Sequence, residues 1–91
     1  VATDLTLEAS RPALVDAALA QLGGIDILIN NAGVGAYTPS VKIPDADWKH
    51  MRELNLDAPI HLSRLVLPSM LAQRRGVIVN ISSIAGQVPL P

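Results

Sequence analysis

The sequence predicts an α/β fold, a fragment of a doubly wound parallel sheet, and three observations carry that prediction. Short apolar stretches run straight into polar or glycine residues: residues 1–3 into Asp4, residues 25–29 into Asn30-Asn31-Ala32-Gly33, and residues 77–81 into Ser82-Ser83. Segments with helical periodicity lie between them. Strand–helix–strand alternation implies parallel strands joined by right-handed crossovers, which puts all three polar clusters on one rim of one sheet. Open sheets of this kind bind ligands in the crevice beyond the carboxyl ends of their strands.

After the end of a first strand at residues 1–3, Ser10 is expected to cap a helix that carries Pro12 in its first turn, where a missing N–H costs nothing. Leu14, Val15, Ala18, Leu19 and Leu22 recur at three- and four-residue intervals, an apolar stripe on a helix over about 11–22. Gly23-Gly24 ends it. Residues 25–29 are short, isoleucine-rich and bounded by glycine and asparagine, which reads as a strand. Residues 33–43 have a loop composition. Helical spacing returns with Trp48, Met51 and Leu54, and Asp45 and Asp47 lie where the helix dipole favours carboxylates. Trp48 and Met51 fit packing better than a binding box. A further helix is expected from Asn55 to Gln73, with Ile60, Leu62, Leu65, Val66 and Met70 apolar and Pro59 and Pro68 interrupting, Pro68 with a kink. The last strand covers residues 77–81. Both later strands are nearly continuous in apolar residues, as expected where helices cover both faces of a sheet. Two or three such strands alone would leave bare edges and faces, so the chain reads as an excerpt of a larger domain.

Composition narrows the function. Hydrophobic residues make up 49% of the 91 residues and charged ones 16%, which is core-rich material with little surface of its own. A net charge of −1 gives no electrostatic footprint for nucleic acid, and Arg74-Arg75 reads as a solvated helix end. The absence of cysteine excludes a disulfide scaffold, a thiolate zinc site and a cysteine nucleophile, and suits a reducing, cytoplasmic compartment. No apolar run approaches the ~20 residues that span a bilayer, so no membrane partner is expected. The N-terminus does not resemble a signal peptide. His50 and His61 lack metal-ligand spacing and read as helix-surface histidines, so no metal site is expected.

Asn30-Asn31-Ala32-Gly33 leaves a strand directly, and small residues there let backbone approach a ligand closely. Taken bare, the tetrapeptide also reads as a turn, Asp4 as a cap or turn residue, and Ser82-Ser83 as part of a loop. In combination the pieces say more. An aspartate after a strand (Asp4), Asn30-Asn31-Ala32-Gly33, a tryptophan-bearing helix leading to Asn55, and a strand ending in Ser82-Ser83 before Gly86 resemble, in that order, the short-chain dehydrogenase/reductase family. The spacing agrees: Asn31 and Asn55 are 24 positions apart, Asn55 and Ser83 28. The resemblance covers essentially the whole chain and implies a Rossmann-like NAD(P)-binding domain.

By this resemblance Asp4 accepts a hydrogen bond from an adenine amino group and the Leu5 amide meets a ring nitrogen. Asn31, Ala32 and Gly33 line the adenosine ribose and its link to the pyrophosphate, while Asn30 ties neighbouring strands together. Asn55 corresponds to the asparagine at a helix kink whose main-chain carbonyl holds a water of a proton relay. Ser83 is the catalytic and substrate-binding serine, because a neutral hydroxyl can donate to a carbonyl or accept from an alcohol. Tyr37 lacks a lysine four residues on, since Val41 stands there, and reads as a loop residue near the substrate entrance; Val34 and Ala36 make one wall apolar.

The implied activity is hydride transfer between NAD or NADP and an alcohol/ketone or aldehyde pair. The family's acid/base tyrosine and lysine, in a Tyr-x-x-x-Lys helix, and its N-terminal glycine-rich βαβ unit are not among residues 1–91, so the chain is expected to be a partial domain, inactive in isolation. The parent is expected to form a homo-oligomer, a dimer or tetramer, through the helix around 55–73. The alternative is a non-catalytic nucleotide-binding or structural remnant of the same fold.

Overall fold

A computed structural model of the chain describes residues 2–33 and 42–82. Helix α1 (Ser10–Leu22) is followed by strand β1 (Ile27–Asn30), helix α2 (Asp45–Arg52), a π-helical turn (Glu53–Asp57), helix α3 (Ala58–Gln73) and strand β2 (Val77–Asn80). The two strands pair in parallel, with Ile27 opposite Val77 and Asn30 opposite Asn80. Helix–strand alternation therefore produces the parallel crossover that the sequence predicts, with both strand exits on one rim.

Residues 2–4 are not a strand, in contrast to the expectation from the apolar start. Asp4 is engaged in a turn: its carboxylate accepts the Thr6 N–H at 3.0 Å and the Thr6 hydroxyl at 2.6 Å. Its carbonyl accepts the Leu7 N–H at 3.3 Å. Ser10 is not the cap either. Ala9 holds that position without a side-chain cap bond, and the Ser10 hydroxyl turns back to the carbonyls of Asp4 and Leu7. Successive turns through Leu7 and Glu8 lead into the helix and accept the first backbone N–H groups, which leaves a cap little to do. Gly23 closes α1 in the left-handed conformation, φ 77°, its N–H on the Leu19 carbonyl at 2.9 Å.

Leu62, Val66 and Met70, one turn apart on α3, meet Val15 of α1 in the core, with Leu14, Leu19, Leu28 and Ile78 packed around them. Each such side chain contributes roughly 1.5–3 kcal/mol by leaving water. Leu22, which the stripe placed inside, is 76% exposed, because it is the last residue of α1 and no described element packs over it. Trp48 is likewise exposed: α2 buries none of its residues among those described. Gln73 secures the end of α3 to the segment that leads into β1, its Nε2 donating to the Ile25 carbonyl at 3.0 Å.

Pleating sends Leu28 and Ile78 under the helices and the pairs Ile27–Val77 and Ile29–Val79 to the opposite face. That second face is open, with Ile27 at 61% and Ile29 at 59% exposure, so the continuous apolar pattern is met by helices on one side only among the described residues. α3 includes Pro68 and continues past it to Gln73. An irregularity lies earlier, in the π turn around Asn55, which passes directly into α3; Pro59, at the second position of α3, has no N–H to give to the preceding turn, so the ladder is one donor short there.

Candidate functional site

Parallel pairing in register puts Asn30 and Asn80 side by side at the two strand exits. The Asn30 Nδ2 donates to Asn80 Oδ1 at 2.9 Å and reaches the Ser63 hydroxyl at 3.4 Å, while Ile81 N–H continues the ladder onto the Asn30 carbonyl at 3.0 Å. Asn30 thus ties the strands together, as the resemblance implies, and reaches α3 as well. The chain then surfaces: Asn31, Ala32 and Gly33 are exposed.

Two depressions meet at this exit. A crevice of about 150 Å³ is lined by Leu5, Asn31, Ala32 and Leu54, and brings the turn before α1 to the end of β1. A groove of about 470 Å³ is lined by Ala32, Asn55, Ser63, Asn80 and Ser82. They share Asn30, Ala32 and Pro59. Gly33 lies against the π turn so closely that a Cβ there would stand 3.2 Å from the Asn55 Oδ1. Small residues at 32 and 33 therefore leave backbone accessible to a ligand at the rim, which is the property a flat, elongated nucleotide needs.

The π turn explains how Asn55 reaches this position. One extra residue per turn re-aims the side chains and carbonyls of Glu53–Asp57, and such turns recur at functional sites. Asp4, directly before Leu5, lines neither depression, and the hydrogen bonds from Thr6, first the hydroxyl and then the backbone N–H, hold its carboxyl below the ordinary value of 3.8. It is an acceptor at neutral pH.

Of the candidate residues, Leu5, Asn31 and Ala32 share the crevice, and Gly33 and Asn55 are packed together. Ser83 lies outside the described residues, as do Val34, Ala36 and Tyr37; its neighbour Ser82 lines the groove. Sequence reasoning missed Arg11, the buried cation behind the site, and it took His61 for a surface residue. His61 is half-buried, with its Nδ1 3.4 Å from Arg11 Nη1. A signal for Arg11 exists, since it stands one helical turn before Val15, on the face that packs inward. Among the described residues no group of three or more His, Cys, Asp or Glu side chains is arranged to hold a metal ion, and no helix is long and apolar enough to cross a membrane.

Parallel strands with polar exits that open onto a groove define a doubly wound, Rossmann-like α/β fragment. The sequence profile of the short chain dehydrogenases matches residues 1–91, and the chain belongs to that family. It is 44% identical over 84 residues to 7α-hydroxysteroid dehydrogenase of Escherichia coli K12, covering 92% of this chain and 32% of that protein. It is 34% identical over 86 residues to the 3-oxoacyl-[acyl-carrier-protein] reductase FabG of Vibrio cholerae, covering 94% of this chain and 35% of the reductase. The chain thus spans about a third of the length of these relatives. Among solved structures, a metagenomic short-chain oxidoreductase in complex with NADP superposes with a TM-score of 0.92 at 41% identity, over 99% of this chain and 41% of that one. A 7α-hydroxysteroid dehydrogenase complexed with NADH and 7-oxo glycochenodeoxycholic acid superposes with a TM-score of 0.88 at 42% identity, over 96% of this chain and 34% of that one.

Proposed function

We propose that the chain supplies the middle of the dinucleotide and catalytic site of an NAD(P)(H)-dependent oxidoreductase that interconverts an alcohol and a ketone or aldehyde. The observation that carries this reading is the convergence of Leu5, Asn31, Ala32, Gly33 and Asn55 at the exit of β1. Relatives in complex with NADP and with NADH support the cofactor class.

In this reading the Asp4 carboxylate accepts from the adenine amino group and the Leu5 N–H donates to the ring. Asn31, Ala32 and Gly33 line the adenosine ribose, with Asn55 buttressing Gly33 from behind. NAD or NADP, when bound, supplies the hydride acceptor or donor. Ser83 donates a hydrogen bond from its hydroxyl to the substrate oxygen in the carbonyl direction and accepts one in the alcohol direction, stabilising that oxygen while the proton itself is handled by the family's acid/base tyrosine. The Asn55 carbonyl holds a water that passes a proton on. The chain acts as part of a longer domain, in which a glycine-rich βαβ unit, a Tyr-x-x-x-Lys helix and the second layer over the Ile27–Val79 face complete the site. The exposed Ile60, Leu67 and Leu71 of α3 fit a homo-oligomeric contact, and a cysteine-free chain fits a cytoplasmic enzyme.

The test uses the full-length protein. NADH and NADPH are titrated by fluorescence, turnover is followed over a panel of alcohols and ketones, and both are repeated on Ser83→Ala. Loss of turnover with unchanged dinucleotide Kd supports the reading, and absence of dinucleotide binding overturns it. Binding without turnover of any alcohol or carbonyl compound in the wild type transfers the case to a non-catalytic nucleotide-binding module.

A further inference from the structure

Arg11 is 3% exposed, and a guanidinium is kept out of water only where its donors are matched. Its Nε donates to the Leu5 carbonyl at 2.9 Å. Its Nη2 pairs with Glu53 Oε2 at 2.8 Å and reaches the Glu53 carbonyl at 3.5 Å. Its Nη1 faces His61 Nδ1 at 3.4 Å. One planar, rigid fork thus joins the turn before α1 to the π turn and the α3 helix that follows it, much further along the chain.

Two of those three segments carry residues of the proposed dinucleotide site. Leu5, whose carbonyl Arg11 holds, lines the crevice with Asn31 and Ala32. Glu53 opens the π turn two residues before Asn55, and Asn55 backs Gly33. Arg11 itself lines neither depression at the strand exit. It opens instead onto a separate, polar hollow of about 570 Å³ shared with Glu53, Asp57, His61 and Arg64.

We infer that Arg11 is a positioning residue: through Leu5 on one side and Glu53 on the other it fixes the distance between the two walls of the adenosine end of the site, and so sets dinucleotide affinity without touching the ligand. The inference rests on the dinucleotide reading above. The energetic logic is preorganisation: a wall already held in place loses no freedom when the ligand arrives, whereas a loosened wall must be ordered at that moment. Lysine cannot substitute, because an ammonium is a point charge that cannot serve the Leu5 carbonyl and the Glu53 carboxylate in one plane.

The experiment compares wild type, Arg11→Met, Arg11→Lys and Glu53→Gln in the full-length protein by calorimetric titration with dinucleotide, AMP and nicotinamide mononucleotide, alongside thermal unfolding. Arg11→Met and Arg11→Lys are expected to raise the Kd for dinucleotide and for AMP roughly tenfold, with the mononucleotide Kd unchanged. Glu53→Gln keeps hydrogen bonding but loses the charge, and is expected to fall between. A merely structural clamp would lower Tm and leave the AMP Kd of the folded protein where it was, which overturns the inference. If Arg11→Met fails to fold, Arg11→Lys and Glu53→Gln decide by the same readout. A wild type that binds no dinucleotide refutes the functional reading and the inference with it, whereas a wild type that binds and folded variants that bind equally well refute the inference alone.

Discussion

Replacing Asn80 by alanine probes the tie on which the strand exits depend. Asn30 is 9% exposed and directs its Nδ2 at Asn80 Oδ1, 2.9 Å away, with the Ser63 hydroxyl at 3.4 Å as its second neighbour. Alanine at 80 removes the better acceptor and leaves a buried amide N–H to a long, weak bond. A buried donor stranded in this way costs about 1–3 kcal/mol, and partial recovery by Ser63 sets the expectation at the lower half of that range, about 1–2 kcal/mol. For a domain of 150–250 residues each kcal/mol moves Tm by about 2–4 °C. Asn80→Asp is the control: it keeps an oxygen at the same place, Asn80 is exposed enough for a carboxylate to stay hydrated, and a charged acceptor makes the stronger bond. The assay is thermal and urea unfolding of the full-length protein by circular dichroism. The expected result is a clear loss for the alanine variant and near-wild-type stability for the aspartate variant. Equal destabilisation by both, or none by alanine, would show that the Asn30 amide does not depend on this acceptor.

Four other outcomes follow from particular contacts. Gly76→Ala puts a Cβ about 2.8 Å from the Met70 Cβ, so the core end of α3 must shift; a loss of about 1–3 kcal/mol is expected by urea denaturation. Gly23→Ala forces a side chain onto a residue at φ 77°, and unfolding is expected to show a cost of about 1 kcal/mol with ligand affinity unchanged. Gly33→Val crowds the Asn55 Oδ1, 3.2 Å from the first added carbon, and is expected to weaken dinucleotide binding in titration far more than it lowers Tm. For Asp4, Thr6 holds the folded carboxyl below its ordinary 3.8, so this contribution to stability is present above that value and is lost as pH falls through the folded one. Thr6→Val is therefore expected to be less stable than wild type at pH 7 and indistinguishable from it at acid pH, as read by unfolding midpoints across pH.

Element types and order were legible because apolar periodicity changes from strand to helix and back at glycines and prolines, and the parallel pairing follows from that order alone. The rest was not legible for identifiable reasons. Ser10 has the chemistry of a cap, yet preceding turns already accept the N–H groups a cap would serve. An apolar start at residues 1–3 has strand composition, but the aspartate after it is drawn into a turn by Thr6, a local competition that composition does not register. Trp48 and Leu22 have core chemistry and stand in water, because burial belongs to the neighbouring element and not to the residue.

The site divides in the same way. The position of Asn30, Asn31, Ala32 and Gly33 at the end of a strand was readable from sequence, since a strand exit and its small residues are local features. The link between Asn55 and Gly33 needed the π turn, and no periodicity distinguishes a π turn from the α-helices it joins. Arg11 is the extreme case: its meaning lies in a carbonyl six residues before it and a carboxylate forty-two residues after it. A charged residue on the inward face of a helix is the one sequence-level hint of such a clamp, because burying it is costly unless partners exist elsewhere in the chain. In this chain the polar residue on the apolar stripe of α1 thus holds the segments from which the ligand-facing motifs emerge, without belonging to any of those motifs.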